Sequence, residues 1–470
     1  MRFLAVFVTF VLAAFPARAG WLRLRGTKTE LVTDAGEKEG LRALARLEQI
    51  RAVMPGASDD SGRELRVVLF DSEKEFREYA KSETISGLYQ SGLERDYIVT
   101  YAGSELPRVV THEFVHFLLN QTPAPLPRWF EEGTAELYSN TQVNNKRVRI
   151  GKEIEPRMKL LLARPWLSAR QMAAERPAAP EREQDVEQAE NMFYAESWAL
   201  VHMLNLSPNY RDHLPQFITL LAQGTDAAEA FRTAFGRDFA RALAELPGYL
   251  KKVRSVKLGT PPPTPFTPPK SELLSDVDAL LLRADISLRR GLAEQARSLF
   301  EQAAREHPDS ATAQAGLGML AMTQNRPGDA RRYLEKAIQL DDKDATILFE
   351  YALLERDAGA GNERVRELLE KVVGLNPNFG EAQLLLGVRA TDDGRYDRAV
   401  VYLHDAARLL PRQSYVWHAL AYAQQKLGNY PDALDAAQRA VRTASTDEQE
   451  HMAEALRDAL RDQVLGKSVR

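Results

Sequence analysis

Residues 379–412, FGEAQLLLGVRATDDGRYDRAVVYLHDAARLLPR, read as two helices joined by a tight turn at Gly394. Glycine supplies the left-handed backbone that a sharp helix-to-helix connection needs, and Pro411 follows the second helix where the helix cannot continue. The pattern recurs on either side. Pro377 and Pro411 lie 34 residues apart, and Pro308 and Pro377 lie 69 apart, two such periods plus one residue. In this register Ala296, Ala330, Ala399 and Ala433 share one column, Ala303, Ala337, Ala406 and Ala440 a second, and Gly318 and Gly387 a third. Small residues in fixed columns are what paired helices need where their backbones approach closely, so the spacing predicts stacked helix pairs. Units begin near Asp276, Ser310, Asp344, Phe379 and Gln413, with turns at Gly291, Asn325, Gly394 and Gly428. The third unit carries its extra residue in Gly359-Ala360-Gly361.

Column and period together resemble the tetratricopeptide family across all five units, residues 272–446. The resemblance implies an all-α solenoid whose concave groove binds a protein or peptide partner, with a plain spacer as the bland alternative. Residues 447–470 read as a polar-faced helix that seals the last exposed stripe, followed by a tail.

Ahead of the repeats, GTPPPTPFTPP at 259–269 has six prolines in eleven residues, which forbids a helix and favours an extended spacer over 259–271. At the other end, residues 1–19 combine Arg2, an apolar run from Phe3 to Phe15 and Ala17-Arg18-Ala19 before Gly20, the pattern of a cleaved secretory leader. The apolar run is shorter than the roughly 20 residues a bilayer span requires, and no later stretch is apolar enough to cross. The expectation is an exported, periplasmic or secreted chain without a transmembrane segment once mature. Of 470 residues, 44% are hydrophobic and 27% charged, and the net charge is −4, so the basic excess of a nucleic-acid binder is missing. With no cysteine, disulfides, thiol catalysis and Cys-ligated metals are excluded, and any metal must be held by histidines and carboxylates.

Residues 20–258 hold the chemistry. The stretch 109–119, VVTHEFVHFLL, is apolar except for Thr111, His112, Glu113 and His116, and ionisable groups inside an apolar helix demand a reason. His112 and His116 are i and i+4, so both imidazoles leave one helix face and can bind a single metal, with Glu113 beside it to take a proton from a coordinated water. A second helix follows in 127–138, PRWFEEGTAELY, where Glu132 and Glu136 repeat the i, i+4 spacing. Glu132 can complete a two-His, one-Glu zinc set with an open fourth position, and Glu136 can hold the outer N–H of a ligand histidine. Glu131, displaced by about 100° on the helix, is the alternative ligand. Gly133 weakens this helix by about 1 kcal/mol, which makes sense if something must approach its backbone.

These residues resemble the gluzincin zinc metallopeptidases, the thermolysin-like and aminopeptidase-like group in which HExxH is followed on a second helix by a ligand Glu; WFEEGTAE resembles that third-ligand helix. Bacterial exported proteins that join such a domain to tetratricopeptide repeats are the nearest likeness. The resemblance implies an α+β, mostly helical metallopeptidase-like domain with a small sheet, one zinc ion per chain on His112, His116 and Glu132, Glu113 as catalytic base, and Glu136 behind a ligand. It also implies a Tyr or His donor for the oxyanion, with Tyr194 the candidate and His202 the second choice, both in the helix expected at 191–206. The sequence departs from thermolysin in a shorter gap before Glu132 and in having Glu at 136. The activity implied is peptide-bond hydrolysis by Glu-assisted attack of zinc-bound water. The alternative is a catalytically inactive zinc-binding adaptor or chaperone-like protein of the cell envelope.

Strands are expected at 21–33, 66–70 and 97–101, and the resemblance to gluzincins implies that the last is an edge strand that pairs with extended substrate. The charged stretch 175–190 reads as a surface loop or the start of a charged helix, and 216–250 as two or three helices with a turn at Gly236.

Overall fold

The computed structural model describes residues 20–54, 63–80, 85–92, 95–122, 126–144, 147–174, 183–251, 256–258 and 266–465. The expected leader and most of the proline-rich spacer lie outside them.

The stretch expected as one strand at 21–33 forms a hairpin, β1 (Leu22–Arg25) and β2 (Thr29–Thr33), because Gly26 N–H closes a tight turn onto Thr29 O at 2.8 Å. Helix α1 (Glu37–Val53), β3 (Glu64–Phe70), the short α2 (Glu73–Arg77), β4 (Gly87–Gln90) and β5 (Arg95–Tyr101) follow. They build a sheet of order β4-β5-β3-β2-β1-β9, where β9 is Ser271–Leu273, parallel at β2, β3 and β5 and antiparallel elsewhere. The edge strand beside the site is therefore β4. Tyr97–Tyr101 lies inside β5, hydrogen-bonded on both sides, because residues 87–90 add a further strand.

Side chains alternate across this sheet. Leu31, Val67 and Ile98 join the core formed with α1 and with α3 (Leu106–Asn120), whereas Val32, Val68 and Val99 face the other way. Completing the first domain are α4 (Arg128–Ser139), the hairpin β6 (Gln142–Asn144) and β7 (Arg147–Ile150), α5 (Glu155–Ala163), α6 (Ala169–Met172) and α7 (Glu183–Leu206). Of the stretch 175–190, residues 183–190 are thus the start of α7, and 175–182 lie outside the described residues. Three helices occupy 216–250, namely α8 (Leu214–Ala222), α9 (Ala227–Phe235) and α10 (Phe239–Leu250), with Gly236 ending α9 at φ 65°. Strand β8 (Val256–Leu258) pairs with β7.

Ten helices then form five antiparallel pairs: α11 (Asp276–Arg289) and α12 (Ala293–Glu306), α13 (Ala311–Thr323) and α14 (Pro327–Leu340), α15 (Ala345–Asp357) and α16 (Asn362–Leu375), α17 (Gly380–Asp392) and α18 (Tyr396–Leu409), α19 (Ser414–Lys426) and α20 (Tyr430–Arg442). Both alanine columns are fully buried, and Gly291, Asn325, Gly359, Gly394 and Gly428 all take positive φ in the turns. The last helix, α21 (Asp447–Val464), buries Ala453 and Leu460 against the fifth pair and turns its acidic first turn outward.

The solenoid is joined to the first domain by more than the spacer. Strand β9 pairs with β1, and Leu282 and Ile286 of α11 pack with Val32, Val68 and Val99 on the sheet's second face. Arg289 lies 4.5 Å above the Tyr97 ring. A cavity of about 390 Å³ remains between sheet and inner helices, lined among others by Arg66, Tyr97, Asp285, Met319 and Glu350. Among the described residues, no helix is long and apolar enough to cross a membrane.

Candidate metal centre

Helix α3 buries Val110, Phe114 and Phe117 in the core, and the 3.6-residue period then brings His112, Glu113 and His116 to its opposite, half-buried side. Helix α4 is anchored by Trp129 and Phe130, which pack among Phe217, Phe231 and Phe239. Its other face turns Glu132 and Glu136 toward α3. Gly133 is where α7 crosses: a Cβ there would fall 2.3 Å from the Ser197 carbonyl oxygen. That close crossing brings Tyr194, one turn earlier on α7, to 6.4 Å ring to ring from His112.

His112 Nε2 and His116 Nε2 are 3.2 Å apart, and Glu132 Oε2 lies 3.4 Å from each. Two nitrogens and one oxygen thus form a nearly equilateral triangle. A tetrahedral zinc with bonds of about 2.0–2.1 Å needs ligand atoms about 3.3–3.4 Å apart, so the three residues fit the ion. Glu132 Oε2 is buried and lacks an aligned hydrogen-bond donor, a costly state for a carboxylate that a divalent cation resolves. Among the described residues this trio is the one grouping of His or carboxylate ligand atoms able to hold a metal.

The electrostatics agree. Burial opposes the charge of Glu132, but the imidazoles of His112 and His116, 3.4 Å away, outweigh it and hold the carboxyl well below its usual range. Burial likewise opposes a charged His116, yet Glu132, with help from Glu113 and Glu131, pushes it up to about 9 in the metal-free protein. Glu136 is only 1% exposed. Its burial is overcome chiefly by Arg157, which donates to Oε1 at 2.6 Å, so the carboxyl is held down and ionised. His112 Nδ1, expected to donate to Glu136, sits 3.9 Å from Oε1, too far for a hydrogen bond, and is buried without a partner. Arg157 also lies 5.4 Å above the Tyr194 ring.

Glu113 and Tyr194 line a cleft of about 180 Å³ together with His112, Glu136, Arg157 and Gly87 of β4. Gly87 has no side chain to spare: a Cβ would fall 2.5 Å from Val109 and 3.2 Å from the Glu113 Cγ. Burial, then the nearby carboxylates Glu132 and Glu190, push the Tyr194 phenol well above its ordinary value, so it stays protonated.

Two alternatives part from the cluster. His202 is fully buried and bonded to Gly151 O at 3.0 Å and the Tyr249 hydroxyl at 2.7 Å, so its nitrogens are committed elsewhere in the core. Glu131 Oε1 pairs with Arg412 at 2.9 Å, and its carboxylate is not part of the ligand trio. Arg157 and Arg412 were not legible as site neighbours, since neither sits in a motif near the helices it serves.

A tetratricopeptide-repeat family profile matches residues 271–311, 281–345, 315–378 and 384–448, so the C-terminal region is built of tetratricopeptide repeats, modules that bind proteins and peptides. Among curated relatives, the chain is 27% identical over 122 residues to a cytochrome c-type biogenesis protein, CycH, of Pseudomonas aeruginosa; the match spans 26% of this chain and 30% of that protein. Solved structures that match part of the chain include Pseudomonas aeruginosa PilF (20% identity, 41% of this chain and 93% of that one, TM-score 0.35). PilW, a type IV pilus biogenesis factor, covers 42% of this chain and 89% of its own at 15% identity and TM-score 0.35. YrrB, described as a tetratricopeptide protein with an unusual peptide-binding site, covers 38% and 92% at 17% identity and TM-score 0.32.

Proposed function

We propose that the chain is an exported zinc-dependent peptidase whose tetratricopeptide solenoid recruits its protein substrate or a partner. The observation that carries this reading is the triangle of His112, His116 and Glu132 atoms, with edges of 3.2, 3.4 and 3.4 Å, beside a cleft that also holds Glu113 and Tyr194. Zinc held there would supply Lewis-acid polarisation of a carbonyl and a lowered pKa for a coordinated water. Glu113 would accept a proton at its carboxylate and return it to the leaving amine. Tyr194, protonated because of its burial, would donate a hydrogen bond to the substrate carbonyl oxygen as negative charge develops. Glu136, kept ionised by Arg157, would act on the His112 ring through its charge at 3.9 Å and not through a hydrogen bond. An extended peptide would pair with the outer edge of β4, where Gly87 leaves room beside Glu113.

The curated relative favours a second reading over this one, because it is named for cytochrome c-type biogenesis and not for hydrolysis. In that reading the domain binds zinc without catalysis, and the chain is an adaptor or chaperone-like protein of the cell envelope. Peptide cleavage by the zinc-loaded chain separates them. For the peptidase, Glu113→Gln keeps its zinc and loses at least about a hundredfold in rate, the contribution of a positioned base. No cleavage of a mixed peptide library by the zinc-loaded wild type would leave the adaptor.

A further inference from the structure

We propose that Arg412, in the turn between α18 and α19, is a positioning residue for the metal centre, so that the solenoid completes the site it adjoins. The proposal rests on reading His112, His116 and Glu132 as a zinc set.

Helices α3 and α4 run antiparallel, and polar rungs cross between them. At one end Arg108 Nη1 is 3.9 Å from Glu136 Oε2, and in the middle both histidines meet Glu132. At the remaining end α3 carries no basic residue in its last turn, where the carbonyl ends favour a cation. Arg412 supplies one from the solenoid. Its Nη2 donates to Leu119 O at 2.8 Å and Thr122 Oγ1 at 3.0 Å, Nε to Thr122 O at 3.4 Å, and Nη1 to Asn120 Oδ1 at 3.5 Å. The same Nη1 pairs with Glu131 Oε1 at 2.9 Å. Asn120 lies one turn beyond His116, and Glu131 directly precedes Glu132. A single planar guanidinium is thus fastened at once to the end of the histidine helix and to the neighbour of the carboxylate ligand. Metal ligand distances tolerate only about ±0.2 Å, so a small slide of α4 along α3 would open the triangle.

A second link between solenoid and first domain, among the described residues, lies away from the ligands: Arg442 donates to Ala222 O at 2.8 Å, in α8. It provides the control.

The test is zinc affinity of the full chain, by competition with a chromophoric chelator, together with the visible spectrum of the cobalt-substituted protein. Arg412→Ala should weaken zinc about tenfold, the lower end of what partners outside the ligand set contribute, and shift the cobalt bands. Arg412→Lys should recover part of the loss. Glu131→Gln should weaken zinc less, and adding it to Arg412→Ala should change little further. Arg442→Ala should bind as wild type does. Wild-type affinity and cobalt spectrum in Arg412→Ala would overturn the proposal, as would an equal loss in Arg442→Ala, which would make the effect one of general docking. Should Arg412→Ala fail to fold, unaltered zinc affinity in both Arg412→Lys and Glu131→Gln would overturn it. A wild type that binds no zinc would overturn the zinc reading itself, which sets that failure apart.

Discussion

The helix pair α17–α18 and the trio α3, α4 and α7 use the same device and fill it differently. In the repeat, Gly387 lets Leu403 of α18 close in, since a Cβ would fall 2.5 Å from the Leu403 Cγ, and the fully buried Ala399 and Ala406 flank that contact with apolar side chains. In the first domain, Gly133 admits α7 to 2.3 Å from where its Cβ would be, but the α3–α4 seam is lined by His112, His116, Glu132 and Glu136. An apolar seam is complete once packed. A seam of imidazoles and carboxylates with buried, partnerless atoms would gain a partner from a cation, and that is the contrast the proposed site draws with the apolar seam.

The sharpest way to break that contrast is His116→Ala. A full ligand set for structural zinc is worth about 10–16 kcal/mol, or about 3 kcal/mol per ligand, so zinc affinity should fall at least about a hundredfold while thermal unfolding of the repeats is unchanged. Zinc retained at one per chain would remove the distinction. Next in size, Gly133→Ala should destabilise the first domain by about 2 kcal/mol in urea unfolding, because the obstructing Ser197 carbonyl is backbone and cannot turn aside. Gly387→Ala should lose only about 1 kcal/mol, because Leu403 is a side chain with other rotamers. Acid should separate the regions further. Burial holds the His202 pKa below its ordinary 6.5 against the raising effect of Gly151 and Glu153, so its neutral form is the native one. The stability it confers is present above pH 6.5 and lost as pH falls through the depressed native value; His202→Gln should flatten that part of the first domain's pH–stability curve. The smallest effect is a gain: a Cβ on Gly374 in α16 meets nothing within 4 Å, so Gly374→Ala should add about 0.5 kcal/mol to the solenoid.

How much could be read from sequence follows from the range of the interactions. Repeat columns are local and periodic, so four of the five helix pairs emerge from alanine spacing, and the third, with Val365 and Val372 in those columns, emerges from the period alone. The histidine and glutamate pairs are also local, one helical turn apart, and only their meeting across α3 and α4 needed three dimensions. What stayed hidden is long-range. Strand β4 is four residues with a single buried side chain, Leu88, so 87–90 carried no pattern to displace 97–101 from the expected edge. Arg157 reaches Glu136 from a helix of weak amphipathicity, and Arg412 reaches the site from 293 residues beyond Leu119. Such partners leave no trace in spacing, because any exposed arginine looks the same along the chain.

Strand β9 has a consequence for how the protein can be divided. Ser271–Leu273 follows the proline-rich stretch yet lies in the same sheet as Leu22–Leu24, at the other end of the first domain's sequence. A protease cut between residues 259 and 265 would therefore yield fragments that still share a sheet and stay together on a sizing column. Truncation at 258 would strip β1 of its neighbour and create a new sticky border, so the proline run is a hinge in the text of the chain but not a seam in its fabric.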